Sequence, residues 1–167
     1  MATTKVAKWF TDTMAFPSLT LPACDLTMRE AEGRTEVFDL VRKRYVALTP
    51  EEWVRQHFVH FLIANLDFPA GCIGNEVSIN VGQLSKRCDS VVFGKNGQPL
   101  MIIEYKAPTV AITQKVFDQI SRYNITLQVE WLIVSNGLQH YCCHFIKEKN
   151  QFEFLPQLPR FENLIQG

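Results

Sequence analysis

No apolar run in the chain approaches the ~20 residues that a membrane-spanning helix needs, and the start, Met1 to Asp12, has no apolar core of the kind a signal peptide carries. A membrane-embedded or exported protein is therefore not expected, and the cytoplasm is the expected compartment. Charge of one sign is also missing. The 17 basic residues balance the 17 acidic ones, for a formal net charge of zero. A strong overall positive field, the usual mark of a self-sufficient DNA binder, is thereby excluded. There are no internal repeats and no low-complexity linker. The five cysteines are odd in number and mostly embedded in apolar, strand-like sequence, which argues for reduced thiols rather than a disulfide framework.

What remains is a chain of 167 residues, 47% hydrophobic, of a size for one globular domain over 1–167. A chain of this length buries roughly 70% of its unfolded surface, enough for a single core. A core over about 48–146, an N-terminal extension over 1–47 and a C-terminal tail over 147–167 are expected. Residues 5–14 predict a short helix with Val6, Trp9, Phe10 and Met14 on one side. Residues 17–49 read as strands around a turn at Glu30 to Gly33. The basic triplet Arg42-Lys43-Arg44 fits either a solvated turn or a phosphate contact. Thr49 and Pro50 suit the cap and first turn of a helix, and Val54, Phe58 and Leu62 repeat as its buried face to near Asn65. Residues 71–81 predict a strand with Val77, Ile79 and Val81 inward and Glu76 turned to solvent.

The most informative stretch runs from Arg87 to Lys106. Two apolar runs flank Gly94-Lys95-Asn96-Gly97-Gln98-Pro99. Asn-Gly between such runs is the strongest short hairpin signal, because both residues tolerate positive φ. A two-residue turn centred on Asn96-Gly97 pairs Phe93 with Leu100, Val91 with Ile102 and Asp89 with Glu104. Opposed side chains in such pairs lie with Cβ atoms about 5 Å apart, and like charges there repel. Alternation puts Lys106 on the face of Glu104. Two carboxylates and a lysine thus gather at the open end of an apolar hairpin. A surface ion pair of Lys106 with either acid is one reading. A site for Mg²⁺ or Mn²⁺, which one or two carboxylates commonly hold with water and phosphate oxygens, is the other.

Beyond the hairpin, Ala107-Pro108 breaks the strand. Thr113 then caps a helix with Ile112, Val116, Ile120, Tyr123 and Leu127 as its apolar stripe and Gln119 and Tyr123 one turn apart. Residues 130–137 and 139–145 predict two further strands. The link from the Glu104 strand through the helix to the 131–135 strand is a parallel crossover, normally right-handed. The fold class that follows is α/β (α+β), a mixed central sheet flanked by helices. His140, Cys142 and His144 alternate onto one strand face, but zinc wants four ligands and no second pair with the usual spacing is evident. The apolar run Phe152, Phe154, Leu155, Leu158, Phe161, Leu164 and Ile165 is too greasy for a solvated tail and packs on its own domain or on a second subunit.

Asp89, then fourteen residues, then Glu104-x-Lys106 on a second strand resembles the PD-(D/E)XK nuclease signature, with Cys88 in place of the usual preceding proline. More narrowly, the stretch from Leu48-Thr49-Pro50-Glu51-Glu52-Trp53-Val54-Arg55-Gln56 through Cys142 is similar to the N-terminal nuclease domain of type I restriction enzyme R subunits, especially short stand-alone bacterial homologues. The resemblance covers roughly residues 20–145. It implies a restriction-endonuclease-like αβββαβ core and Mg²⁺-dependent hydrolysis of DNA phosphodiesters. By that resemblance Asp89, Glu104, the Tyr105 carbonyl and Glu52 (Glu51 as its substitute) hold metal, and Lys106 serves the attacking water. Gln119 and Tyr123 match the family's Gln-x-x-x-Tyr helix, where they would position DNA or the lysine. Lys86, Arg87, Lys95 and Arg122 are the expected DNA contacts. A homodimer or a partner chain of a restriction system is expected to complete DNA engagement. The alternative is a non-catalytic nucleic-acid-binding or assembly module that keeps the fold.

Overall fold

A computed structural model describes residues 16–166, so the helix expected over 5–14 lies outside the described residues. A small antiparallel sheet comes first, built from β1 (Met28–Ala31), β2 (Arg34–Asp39) and β3 (Arg44–Ala47). Helix α1 (Pro50–Asn65) follows, then β4 (Ile73–Val81), β5 (Leu84–Phe93) and β6 (Pro99–Tyr105). Helix α2 (Gln114–Leu127) crosses over to β7 (Trp131–Ser135), and β8 (His140–Ile146), β9 (Gln151–Leu155) and α3 (Phe161–Ile165) complete the chain. The second sheet has the order β4-β5-β6-β7-β8-β9; only its β6–β7 pairing is parallel. The expected αβββαβ succession is present, and the fold is a mixed six-stranded sheet with helices on its two faces.

The helices form where capping and apolar spacing coincide. Thr49 Oγ1 accepts from the Glu52 N–H at 3.1 Å, and Val54, Phe58 and Leu62 are fully buried against one sheet face with Val92, Met101, Ile103 and Ile133. On α2, Thr113 Oγ1 accepts from the Val116 N–H at 3.3 Å. Phe117 and Ile120 pack on Leu132 and Val134, and Leu127 on Val91 and Ile102, all on the other face. The α2 stripe differs from expectation at one step. Asn124 is fully buried and Tyr123 is 44% exposed, because position 124 lies nearer the centre of the face defined by 117, 120 and 127 at 100° per residue. The C-terminal run packs on its own domain. Leu155, Leu158, Phe161 and Leu164 join the α1-side core and Phe152 the α2-side core, while Phe154 and Ile165 stay exposed. The last strand therefore belongs to the main sheet, beyond the core boundary expected at 146.

The hairpin between β5 and β6 reaches the expected register by a different route. Its loop is Lys95-Asn96-Gly97: the Gly94 N–H donates to the Gln98 carbonyl at 2.8 Å, and the Gly97 N–H donates to the Gly94 carbonyl at 3.0 Å. Gly97 has φ +75°. This is a tight turn followed by a left-handed glycine, one residue longer than the expected two-residue turn. Phe93 accordingly pairs with Pro99, not Leu100, and a bulge between Val92 and Phe93 takes up the extra residue. Below the bulge Val91 faces Ile102 and Ser90 faces Ile103 as expected. The ladder stops there, one step short of Asp89 and Glu104.

The expectation for Glu76 and Val81 needs correction. Ile73 packs on the α1 side, whereas Val77 and Ile79 pack on the α2 side with Leu127. The odd-numbered residues of β4 thus change face midway, at Glu76, whose φ is +55°. Strand β5 changes face at the same level: Val92 lies with the α1-side cluster, Cys88 and Val91 with the α2-side one. Register holds across the break, from Asn75 opposite Ser90 to Val77 opposite Cys88. Glu76 and Asp89 occupy the step between, and both reach toward α1. Glu76 is turned inward, and Val81, at the far end of β4, is 40% exposed.

Two glycines differ in what a methyl group would meet. At Gly97 an added Cβ has open space, whereas at Gly137, φ +82°, it would lie 2.6 Å from Leu19 Cδ2 and 3.1 Å from Val54 Cγ2. Gly97→Ala is expected to cost about 1 kcal/mol through its left-handed backbone alone. Gly137→Ala is expected to cost roughly 2–4 kcal/mol, since crowding of the α1 core adds to that strain. Urea unfolding of both variants measures the difference.

Candidate active site

Helix α1 meets the sheet through charge. Arg55 is 4% exposed. Its Nη1 donates to Glu52 Oε2 at 2.9 Å, its Nη2 donates to Glu76 Oε1 at 2.5 Å, and Asp89 Oδ1 lies 3.6 Å from the same nitrogen. One guanidinium therefore serves acids from α1, β4 and β5. Glu52 takes two further donors, Arg42 Nη2 at 2.5 Å and Gln56 Nε2 at 2.8 Å. Arg42 also donates to Asp39, which accepts from the Val41 and Arg42 N–H groups and from Asn75 Nδ2. Asn75 Oδ1 in turn accepts from Ser90 Oγ at 2.6 Å, and Ser90 accepts from the Tyr105 hydroxyl at 3.1 Å. The outer end of the chain is Arg87, 70% exposed, which donates to Glu76 Oε2 at 2.7 Å. Burial alone would push the Glu76 carboxyl up; the hydrogen bonds and charges of Arg55 and Arg87 outweigh it and hold the group below the usual carboxylate range.

Asp89 sits where β5 and β6 part. Its Oδ2 accepts the Tyr105 N–H at 2.8 Å, so a side chain takes over from the ladder at the first unpaired position. Glu104 turns the other way, toward α2, where Lys86 Nζ donates to its Oε1 at 2.6 Å. Burial, and then the charge of Asp89, push the Glu104 carboxyl above the usual carboxylate range against the pull of Lys86. Lys86 Nζ also lies 5.0 Å from the centre of the Tyr123 ring. The ammonium bonded to Glu104 is thus Lys86 from β5. Lys106 lies just past the end of β6, its N–H donating to the Ser135 carbonyl at 2.8 Å. Its charge lowers the Glu104 pKa, more weakly than Lys86 does. Cys88, between these groups, is pushed up to about 11 by burial and by Glu104 and stays a thiol at neutral pH.

The structure thus gathers Glu104, Lys86 and Tyr123 on the α2 side, with Lys106 near enough for its charge to act on Glu104, sets Asp89 beside Arg55 and the Tyr105 N–H, and places Glu52 in the arginine network. Among the described residues no three His, Cys, Asp or Glu side chains come close enough together to hold a metal ion. Glu51 is exposed at the start of α1. Gln119 and Arg122 are exposed on α2, and Lys95 is exposed at the hairpin tip, six residues or about 20 Å along the strand from Asp89. His140 bonds to Ser135 Oγ at 2.7 Å and Thr20 Oγ1 at 2.9 Å, while Cys142 and Cys143 are buried thiols raised to about 12 by burial. The functional residue that sequence reasoning passed over is Arg55. Its position three residues after Glu52, on the helix side that Val54 and Phe58 bury, was the available signal.

Residues 50–159, more than half of the chain, match the family described as the N terminus of the type I restriction enzyme R protein. Among solved structures the fold is similar to a fragment from Vibrio vulnificus YJ016 whose description assigns it to the HsdR subunits of type I restriction enzymes. That likeness has 16% identity and a TM-score of 0.50, over 71% of this chain and 25% of the other. The present chain thus spans about a quarter of that relative's length. It is also similar, at 15% identity and a TM-score of 0.43, to a protein from Anabaena variabilis ATCC 29413 described as a nuclease of the DUF820 group, over 82% of this chain and 80% of the other. No curated protein matches. A match over residues 50–159, about two thirds of its length, places the chain in the family of type I restriction enzyme R protein N termini.

Proposed function

We propose that the chain is a DNA endonuclease domain that hydrolyses phosphodiesters with Mg²⁺ or Mn²⁺, working with a second copy or with the partner chains of a restriction system. The observation that carries the reading is the meeting of Asp89 and Glu104 charge at the point where β5 and β6 separate. A buried carboxylate, Glu104, with the charge of Asp89 added to its burial suits a hard divalent cation, which one or two acids plus water and phosphate oxygens satisfy. Asp89, Glu104 and the Tyr105 carbonyl would hold it; bound there, it would neutralise charge developing on the phosphate and acidify an attacking water. The remaining work falls to the chain. The Tyr105 N–H fixes Asp89, and Lys106 orients the water and meets the developing charge. Gln119, Tyr123, Arg122 and Arg87 line the approach to the phosphate backbone. Glu52 in this reading is a scaffold acid, since Arg42, Arg55 and Gln56 already use its oxygens.

A non-catalytic binding module is the competing reading. On its side stands the fact that both acids have protein cations at hand, Arg55 and Lys86. Cleavage of linear, circular, single- and double-stranded DNA in Mg²⁺ and Mn²⁺ decides between the two.

Three variants sharpen the test. Mn²⁺ should raise the melting temperature of the wild type, because a ligand that binds only the folded state stabilises it. Asp89→Asn should abolish that gain while relieving repulsion on Glu104; calorimetry with no divalent binding by the wild type, DNA present, would sink the site. Lys106→Ala should keep the fold and metal affinity and lose cleavage by about 10²-fold or more. Near-wild-type cleavage by that variant would remove Lys106 from the mechanism. Glu52→Gln should destabilise by about 3 kcal/mol, because it leaves two guanidinium groups short of an acid. A stable Glu52→Gln protein with weakened Mn²⁺ binding would instead make Glu52 a ligand.

A further inference from the structure

The two cations at the proposed metal acids differ in kind. Arg55 is nearly fully buried and is bonded to Glu52 and Glu76 as well as facing Asp89. It cannot leave without stranding buried carboxylates. Lys86 bonds one acid only, Glu104, and its side chain keeps 16% of its surface exposed. A lysine ammonium on a four-carbon stem moves freely where a forked guanidinium does not. A second seat is already beside it, the outward face of Tyr123, whose ring centre is 5.0 Å from Nζ and whose side chain is exposed.

We propose that Lys86 is a displaceable counter-ion of Glu104, a positioning residue that holds this carboxylate until a divalent cation takes it. Its ammonium then stays on the Tyr123 ring, free for the phosphate backbone. This rests on the metal-dependent reading of the site. One ammonium at 2.6 Å neutralises one of two neighbouring acids; a divalent cation neutralises both, and the exchange has to overcome the Lys86–Glu104 attraction. Lys86 therefore lowers metal affinity even as it orders the metal-free site. Tyr123 gains a role as the surface that retains the released ammonium, which accounts for an aromatic residue exposed at the edge of α2.

The sign of one measurement separates this from a structural role. Lys86→Gln should bind Mn²⁺ about tenfold more tightly than wild type by titration calorimetry, while losing thermal stability without metal and losing DNA cleavage. Lys86→Arg should keep the wild-type affinity within a few-fold, and its circular dichroism and melting curve control for folding. The tightening should vanish in a Glu104→Gln background, since the two residues act as a pair. Mn²⁺ affinity in Lys86→Gln that is unchanged or weaker overturns the proposal and leaves the metal site standing. A gain that persists with Glu104→Gln also overturns it. A wild type that binds no Mn²⁺ at all removes the metal-dependent reading and this proposal with it.

Discussion

The Arg55 guanidinium is the interaction on which the rest of the site depends. It is the point where α1, β4 and β5 are held to one another by charge rather than by apolar packing. Three acids within reach of one buried cation are tolerable only because the cation is there, and the cation is tolerable only because of the acids. Asp39 and Arg42 extend the same logic to the small N-terminal sheet, so that its β2–β3 connection closes the network from above. The apolar core supplies most of the burial, but this network decides which face of the sheet the acids of β4 and β5 use.

Much of the fold was legible in the sequence. The caps at Thr49 and Thr113, the Asn-Gly hairpin and the parallel crossover all rest on local rules, and local rules are what a single sequence carries. The pairing of Val91 with Ile102 was reached for an incomplete reason: a longer loop and a bulge offset one another. Alternation carried straight through β4 puts Glu76 on the solvent side, and nothing local announces a residue at φ +55° that interrupts it. The expectation that Lys86 contacts DNA misses its protein partner for the same kind of reason. Its partner, Glu104, lies on a neighbouring strand at a step where the ladder has ended, and pattern-based pairing stops where the ladder does. Glu52 illustrates the reverse difficulty. An acid in the first turn of a helix satisfies the helix dipole, a metal and a pair of arginines equally well, and only tertiary placement separates these.

The balanced charge of the chain takes on meaning beside this arrangement. Four of the 17 acids (Asp39, Glu52, Glu76 and Asp89) and three of the 17 bases (Arg42, Arg55 and Arg87) meet inside one network between α1 and the sheet, where their charges offset one another. Arg87 at its outer end and Arg122 and Lys95 elsewhere remain exposed, so the field outside the molecule is weaker and more local than the count of arginines and lysines suggests.

The bulge between Val92 and Phe93 has a consequence for how this hairpin tolerates change. It lies between the loop and the acids, and it already absorbs one residue's worth of mismatch. Loop length and the register below it are thereby uncoupled: a residue gained or lost near Asn96 is accommodated by forming or dissolving an irregularity at Val92, with Val91 left opposite Ile102 and Ser90 opposite Ile103. The distal end of the hairpin is thus free to diversify as a recognition element, insulated by a single flexible step from the chemistry at its base.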